Sequence, residues 1–185
     1  FWNKIQNIKG FVKMVKKITP KRLENIALYY LQRYESSTAK LRAVLKRRIL
    51  RAKMQECEIP EQADIWIEDI IRKMVDLGYV NDIRYAQNTF RRLHNAGKST
   101  RFIAGKLKQD GITPDDFDAL TQAQQISCDE LDLNAARRLV DKKKLGFHRS
   151  EKSQKENFQK DLAVLGRAGF SYEIACAALK DPAES

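Results

Sequence analysis

Apolar residues recur along this chain at spacings of three and four, the signature of helices that bury one face. At the start, Ile5, Ile8, Val12 and Val15 share a face beside Phe11, while Lys4, Lys9, Lys13, Lys16 and Lys17 surround the remainder. This predicts a short basic amphipathic helix interrupted by Gly10. Such a helix can lie on a membrane surface, but docking on its own domain is the commoner outcome and is the one expected. Thr19-Pro20 then reads as a cap followed by proline at the first helical position.

From there the pattern resolves into about nine helices. The first two, near 21–35 and 37–54, are separated by Ser36-Ser37, where a serine hydroxyl can take an orphan amide of the second helix. A third, near 63–77, carries Trp66, Ile67, Ile70, Ile71 and Met74 on one face and stops at Gly78. Asn81 caps a fourth that buries Ile83, Ala86, Phe90 and Leu93 and ends at Gly97. Ser99 caps a fifth, with Ile103 and Leu107 inward and Gly111 at its end. Thr113-Pro114-Asp115-Asp116 opens a sixth with acidic residues at its positive end. The last three lie near 130–145, 153–168 and 171–180, and the polar stretch from Gly146 to Glu151 is expected to be the loosest loop.

An internal repeat runs through this series. Leu31-x-Arg33 is followed by Ser37, Leu41 and Leu45; Phe90-x-Arg92 by Ser99, Ile103 and Leu107; Leu165-x-Arg167 by Ser171, Ala175 and Leu179. The second copy lengthens the turn by three residues, where Asn95, Ala96 and Gly97 lie. Ala27 and Ala86 fall four before the first apolar member, whereas the third copy has Asp161. Tandem helical units that bury one another's apolar faces follow from such a pattern. The expected organisation is a basic segment over residues 1–19 and helical repeats over 20–79, 80–127 and 128–185, all-α and drawn out into an elongated, curved molecule.

Composition agrees: 8 Gly and 4 Pro in 185 residues leave few strand-and-turn signals, and residues that lose little in a helix dominate. No stretch approaches the length of about 20 apolar residues that a membrane-spanning helix needs. Charge adds a direction. The 35 Lys and Arg against 24 Asp and Glu give a net +11, but residues 1–54 hold 15 basic and 2 acidic side chains, leaving −2 on the remainder. A basic end of this density fits contact with a polyanion, because each phosphate neutralised releases counterions without any reading of sequence. The alternative is a solvated helical face.

Cys57, Cys128 and Cys176 lie far apart and His94 and His148 each stand alone, so neither a disulfide framework nor a zinc site is expected, and the cysteine usage suits a reducing cytosol. No secretory signal is legible. The chain begins at Phe1 rather than Met, so part of the natural N-terminus is expected to be missing. Enzyme readings lack parts: there is no glycine-rich phosphate loop and no nucleophile in a motif with a partner base. No catalytic residue, metal, cofactor or small-molecule substrate is expected. Acidic pairs such as Glu68-Asp69 and Asp115-Asp116 sit where capping and solubility explain them. Arg33, Arg92 and Arg167, at matching repeat positions, either make contacts or simply pack their stems across helix ends.

The run Gly78-Tyr79-Val80-Asn81-Asp82-Ile83-Arg84-Tyr85-Ala86, then Phe90-Arg91-Arg92, Gly97-Lys98-Ser99 and Ile103-x3-Leu107-x3-Gly111-Ile112, resembles the central signature of the RecX family. Ala27-Leu28-Tyr29-Tyr30-Leu31 with Ser37 and Leu41 is similar to that family's first repeat, and Arg167-Ala168-Gly169-Phe170-Ser171 to its last. The resemblance covers roughly residues 20–180. Asn81 departs from it, standing where the family usually has a second acidic residue, and a helix cap survives that change.

The resemblance implies a cytoplasmic modulator of the RecA recombinase, built of three three-helix repeats, acting in homologous recombination, DNA repair and the SOS response. Its expected partners are the RecA filament, whose groove it would occupy, and single-stranded or duplex DNA. It would inhibit ATP hydrolysis and strand exchange, limiting filament growth or promoting net disassembly; a monomer is expected. Arg42, Lys46, Arg47, Arg48 and Arg51 are the first candidate contacts to phosphates or to an acidic filament surface; Arg48 is unusual in falling between Val44 and Leu45 on the apolar side of its helix. Arg84, Arg91, Arg92, Arg101 and Lys106 form a second group. A helical nucleic-acid-binding protein without a recombinase partner is the competing reading.

Overall fold

The protein is all-α in a computed structural model, which describes residues 17–55, 58–123 and 127–180. The expected amphipathic helix, in residues 1–17, lies almost wholly outside the described residues, as does Cys57. The helices are α1 (Pro20–Leu31), α2 (Thr38–Lys53), α3 (Ala63–Asp76), α4 (Asp82–Asn95), α5 (Thr100–Gln109), α6 (Pro114–Gln122), α7 (Cys128–Lys143), α8 (Glu151–Arg167) and α9 (Tyr172–Lys180), with one 3₁₀ turn at Gly146–His148. The chain divides into two compact units, residues 1–80 and 81–185.

In the first unit α1, α2 and α3 close over Leu23, Ala27, Leu41, Leu45, Ile67 and Met74, with Val80 sealing the end. α1 stops at Leu31, short of the expected residue 35. The amides of Arg33 and Tyr34 both turn back onto the Tyr30 carbonyl at 3.1 and 3.0 Å. Ser36 and Ser37 are buried, and Ser37 is extended, as a capping residue must be. The chain leaves the helix early so that these serines can start the next one.

In the second unit α4, α5 and α6 gather Tyr85, Phe90, Ile103, Leu107 and Ile112 with Leu131 from α7. A further cluster joins Ala135 and Val140 of α7, Leu165 of α8, Phe170, and Leu179 of α9. The repeat read from the sequence has a physical counterpart in the caps. The hydroxyls of Ser37, Ser99 and Ser171 accept the amides of Lys40, Phe102 and Ile174 at 3.2, 3.1 and 3.3 Å. The residues four beyond each serine, Leu41, Ile103 and Ala175, are buried.

The place shared by Ala27, Ala86 and Asp161 is buried in every copy, at 0%, 2% and 2% exposure. A carboxylate can be tolerated there only if its oxygens are satisfied. Asp161 accepts the Gly146 amide at 3.0 Å and the Arg149 guanidinium at 2.9 and 3.0 Å. The Gly146–Glu151 stretch, expected to be the loosest loop, is therefore pinned to the middle of α8.

Candidate nucleic-acid interface

The ten sequence candidates fall on α2, α4 and α5. On α2, Arg42 turns toward α3 and holds Glu68 through two hydrogen bonds of 2.6 and 2.8 Å. The pair is partly solvated, and hydrogen bonding from Arg42 sets the Glu68 carboxyl below the usual carboxylate range, against the opposing cost of burial. Arg42 is thus a strut between helices. Arg47 donates from Nε to the Ala43 carbonyl at 3.4 Å, and its side chain stays exposed. Arg47, Arg48 and Arg51 rim a shallow cleft of about 170 Å³ floored by Ile26 and Val44. Arg48 is exposed despite its place between Val44 and Leu45. Lys46 is exposed near Glu68. Arg51 sits in the last turn, where a cation also complements the helix dipole.

On α4 the side chains of Arg84, Arg91 and Arg92 are exposed. The Arg84 amide is taken by the capping Asn81 side chain at 2.8 Å, and Arg91 donates to Asn88 at 3.0 Å. Arg91 borders a cleft with Phe90, His94 and Leu120. On α5, Lys106 pairs with Asp110 at 2.7 Å, and the same buried carboxylate takes the Tyr85 hydroxyl at 2.7 Å. Lys106 is therefore partly neutralised from inside. Arg101 is exposed and shares with Lys106 a groove of about 550 Å³.

That groove is completed by Arg167 at the end of α8, a residue the sequence marks through its repeat position and its place in the last-repeat motif but not as a candidate contact. The three repeat arginines differ in their surroundings: Arg33 lies over the Tyr29 ring at 4.3 Å, Arg92 is exposed on α4, and Arg167 lines the groove with Phe102 and Phe170. Two interactions fix the groove's α5 wall. The Ser99 amide donates to the Ala168 carbonyl at 3.1 Å, and the Thr100 amide to Asp132 at 2.6 Å.

The units also change how the charge is distributed. Divided at Val80, residues 1–80 hold 17 basic and 9 acidic side chains, a net +8, and residues 81–185 hold 18 and 15, a net +3. The acidic α3 belongs with the basic α2, where Glu68 meets Arg42, and Lys73 of α3 in turn meets Glu24 of α1 at 2.6 Å. Both units therefore carry positive charge. Among the described residues no group of three or more His, Cys, Asp or Glu could hold a metal ion, and no helix is long and apolar enough to cross a membrane.

No model of a known protein family matches the chain. Among curated proteins it is 38% identical over 164 residues to the regulatory protein RecX of Myxococcus xanthus, across 88% of this chain and 87% of that one. It is 29% identical over 150 residues to the regulatory protein RecX of Agrobacterium fabrum, across 81% and 77%. Among solved structures, the crystal structure of RecX from Lactobacillus salivarius superposes with a TM-score of 0.55 at 21% identity, over 86% of this chain and 94% of that one. A second crystal structure of regulatory protein RecX gives a TM-score of 0.52 over 84% of this chain and 68% of that one. At such identity these structures speak for the fold alone.

Proposed function

The chain belongs to the RecX family of regulatory proteins, and on that premise we propose that it binds a RecA–DNA filament and restrains the filament's ATP hydrolysis, strand exchange and growth. The observation that carries this reading is the 38% identity sustained over 164 residues, nearly the whole of both chains. Regulation of this kind needs no chemistry from the protein itself. It needs a surface that occupies the filament, and we read the helices as three successive triples, residues 20–79, 80–127 and 128–185, that supply it as a cytoplasmic monomer.

The disposition of the cations supports contact with the filament's DNA or an acidic face. Arg48, Arg51, Arg92 and Arg101 have no acidic partner among the described residues, so their charge is available to phosphates at little desolvation cost.

The test is a titration of the protein into RecA assembled on single-stranded DNA, with ATP turnover as the readout. The expected result is inhibition at substoichiometric amounts, with tighter binding to filament than to bare DNA. Unchanged turnover at equimolar protein overturns the reading; inhibition wholly explained by affinity for bare DNA favours the competing one.

A further inference from the structure

We infer that the groove between α5 and the C-terminal end of α8 takes the sugar–phosphate backbone of a single nucleic-acid strand, with Arg101 and Arg167 as its phosphate-binding residues. The inference deepens the filament reading by naming where a strand is held, and it rests on that reading for its biological setting.

The open groove has a volume of about 550 Å³, the scale of a small-ligand pocket, which suits a short stretch of one strand. Its charged lining is wholly basic: Arg101, Lys106 and Arg167. Asp110 pairs with Lys106, whereas Arg101 and Arg167 have no acidic partner among the described residues. Two free guanidinium forks on one groove match phosphate oxygens in geometry as well as in charge.

The rest of the lining favours nucleic acid over an acidic peptide. Phe102 keeps 38% of its surface exposed, and Lys98 holds its ammonium 4.5 Å from the ring centroid. Lys98 covers one face of the ring, so a base would meet its remaining exposed surface beside cations that can take the phosphate; an oligoglutamate offers no flat group for that surface. The floor is open because it lacks side chains. A methyl group at Gly105 or Gly166 would meet nothing within 4 Å.

That open floor supplies a test that separates a shaped site from general positive charge. Binding of a fluorescein-labelled oligothymidylate to the full chain is followed by anisotropy across a salt series. Arg101→Gln with Arg167→Gln should lower the salt slope by about 1.4 and raise the dissociation constant roughly tenfold at 0.1 M salt. Lys152→Gln with Lys155→Gln, an equal charge change on exposed positions of α8, should change it less than about twofold. Gly166→Leu or Gly105→Leu, each filling the groove with no change of charge, should weaken binding while helicity and melting temperature are retained.

The proposal is overturned if both filled-groove variants bind like the parent, if the arginine pair behaves like the lysine pair, or if an oligoglutamate of equal charge displaces the oligonucleotide as well as unlabelled oligothymidylate does. Its failure is distinct from failure of the filament reading. A protein that inhibits RecA normally with a filled groove loses only the groove; one that binds the oligonucleotide through the groove without inhibiting RecA loses only the filament.

Discussion

Arg149 grips Asp161 through two hydrogen bonds, 2.9 Å from Nε and 3.0 Å from Nη2, across the turn that joins α7 to α8. Asp161 also holds the Gly146 amide, so its removal strands a buried donor and a partly buried cation together. Asp161→Ala should lower unfolding free energy by about 3 kcal/mol in urea denaturation, although alanine is the residue at the matching place of α1 and α4. Adding Arg149→Leu should recover part of the loss, because the unmatched charge goes with it. A loss below about 1 kcal/mol would mean that the clamp carries little of the stability.

The Asp132 carboxyl is raised above the ordinary carboxylate range, by burial first, with hydrogen bonding from Thr100 opposing it. The folded protein therefore holds this proton more tightly than the unfolded chain. Stability from this group is fully present below the unfolded value and is lost as pH climbs through the raised folded one. Asp132→Asn keeps an oxygen for the Thr100 amide and should be at least as stable as the parent near pH 7, with the advantage shrinking as pH falls through the carboxylate range. Glu24 and Glu68, lowered chiefly by hydrogen bonds from Lys73 and Arg42, act in the opposite sense in both proteins and cancel from the comparison. Thermal melts from about pH 3 to pH 8 make the check; a pH-independent difference would remove Asp132 as the titrating group.

The arginines of α2 should separate into two kinds. Replacing Arg47, Arg48 and Arg51 by glutamine should reduce the salt slope of single-strand binding by about 2 and leave the melting temperature in place. Arg42→Gln should do the reverse. Its loss frees Glu68 and should cost about 0.5–1 kcal/mol, the range of a partly solvated ion pair, with the slope nearly unchanged. A triple variant whose slope stays at the parent value would remove these three arginines of α2 from the interface.

How far the sequence foresaw these features depends on whether a feature is local. The capping serines at 37 and 99 were legible because a cap is written within four residues, and so were the glycines and prolines that end and begin helices; Ser171 was marked only as a repeat position. The strut from Arg42 to Glu68 was not, because 26 residues separate the two and only the packing of α2 on α3 brings them together. Asp161 was visible as a departure from the repeat, yet its partners Gly146 and Arg149 lie 15 and 12 residues back. Arg167 was marked by its repeat position and its place in the last-repeat motif; that it lines one groove with Arg101 depends on how α8 ends against α5.

Gly169 and Gly166 give opposite predictions within three residues. Gly169 has a φ of +100°, and a side chain there would run into Ser99 Oγ and lie 3.0 Å from Phe102 Cβ. Gly169→Ala should cost at least about 1–2 kcal/mol from the backbone alone, more once Ser99 must move. Gly166→Ala, in helical backbone with open space ahead of it, should be neutral or stabilising by roughly 0.5 kcal/mol. Chemical denaturation of the two variants decides, and a similar cost for both would contradict the close approach at Gly169.

The bond from the Ser99 amide to the Ala168 carbonyl joins main chain to main chain. Any residue except proline can donate at position 99, and any residue can accept at 168, so this fastening of α5 to the end of α8 survives nearly every exchange of side chains around it. The groove's frame can thus stay fixed while its lining drifts. A protein held this way can retune what it grips by point substitution without first rebuilding the hinge that aims the grip.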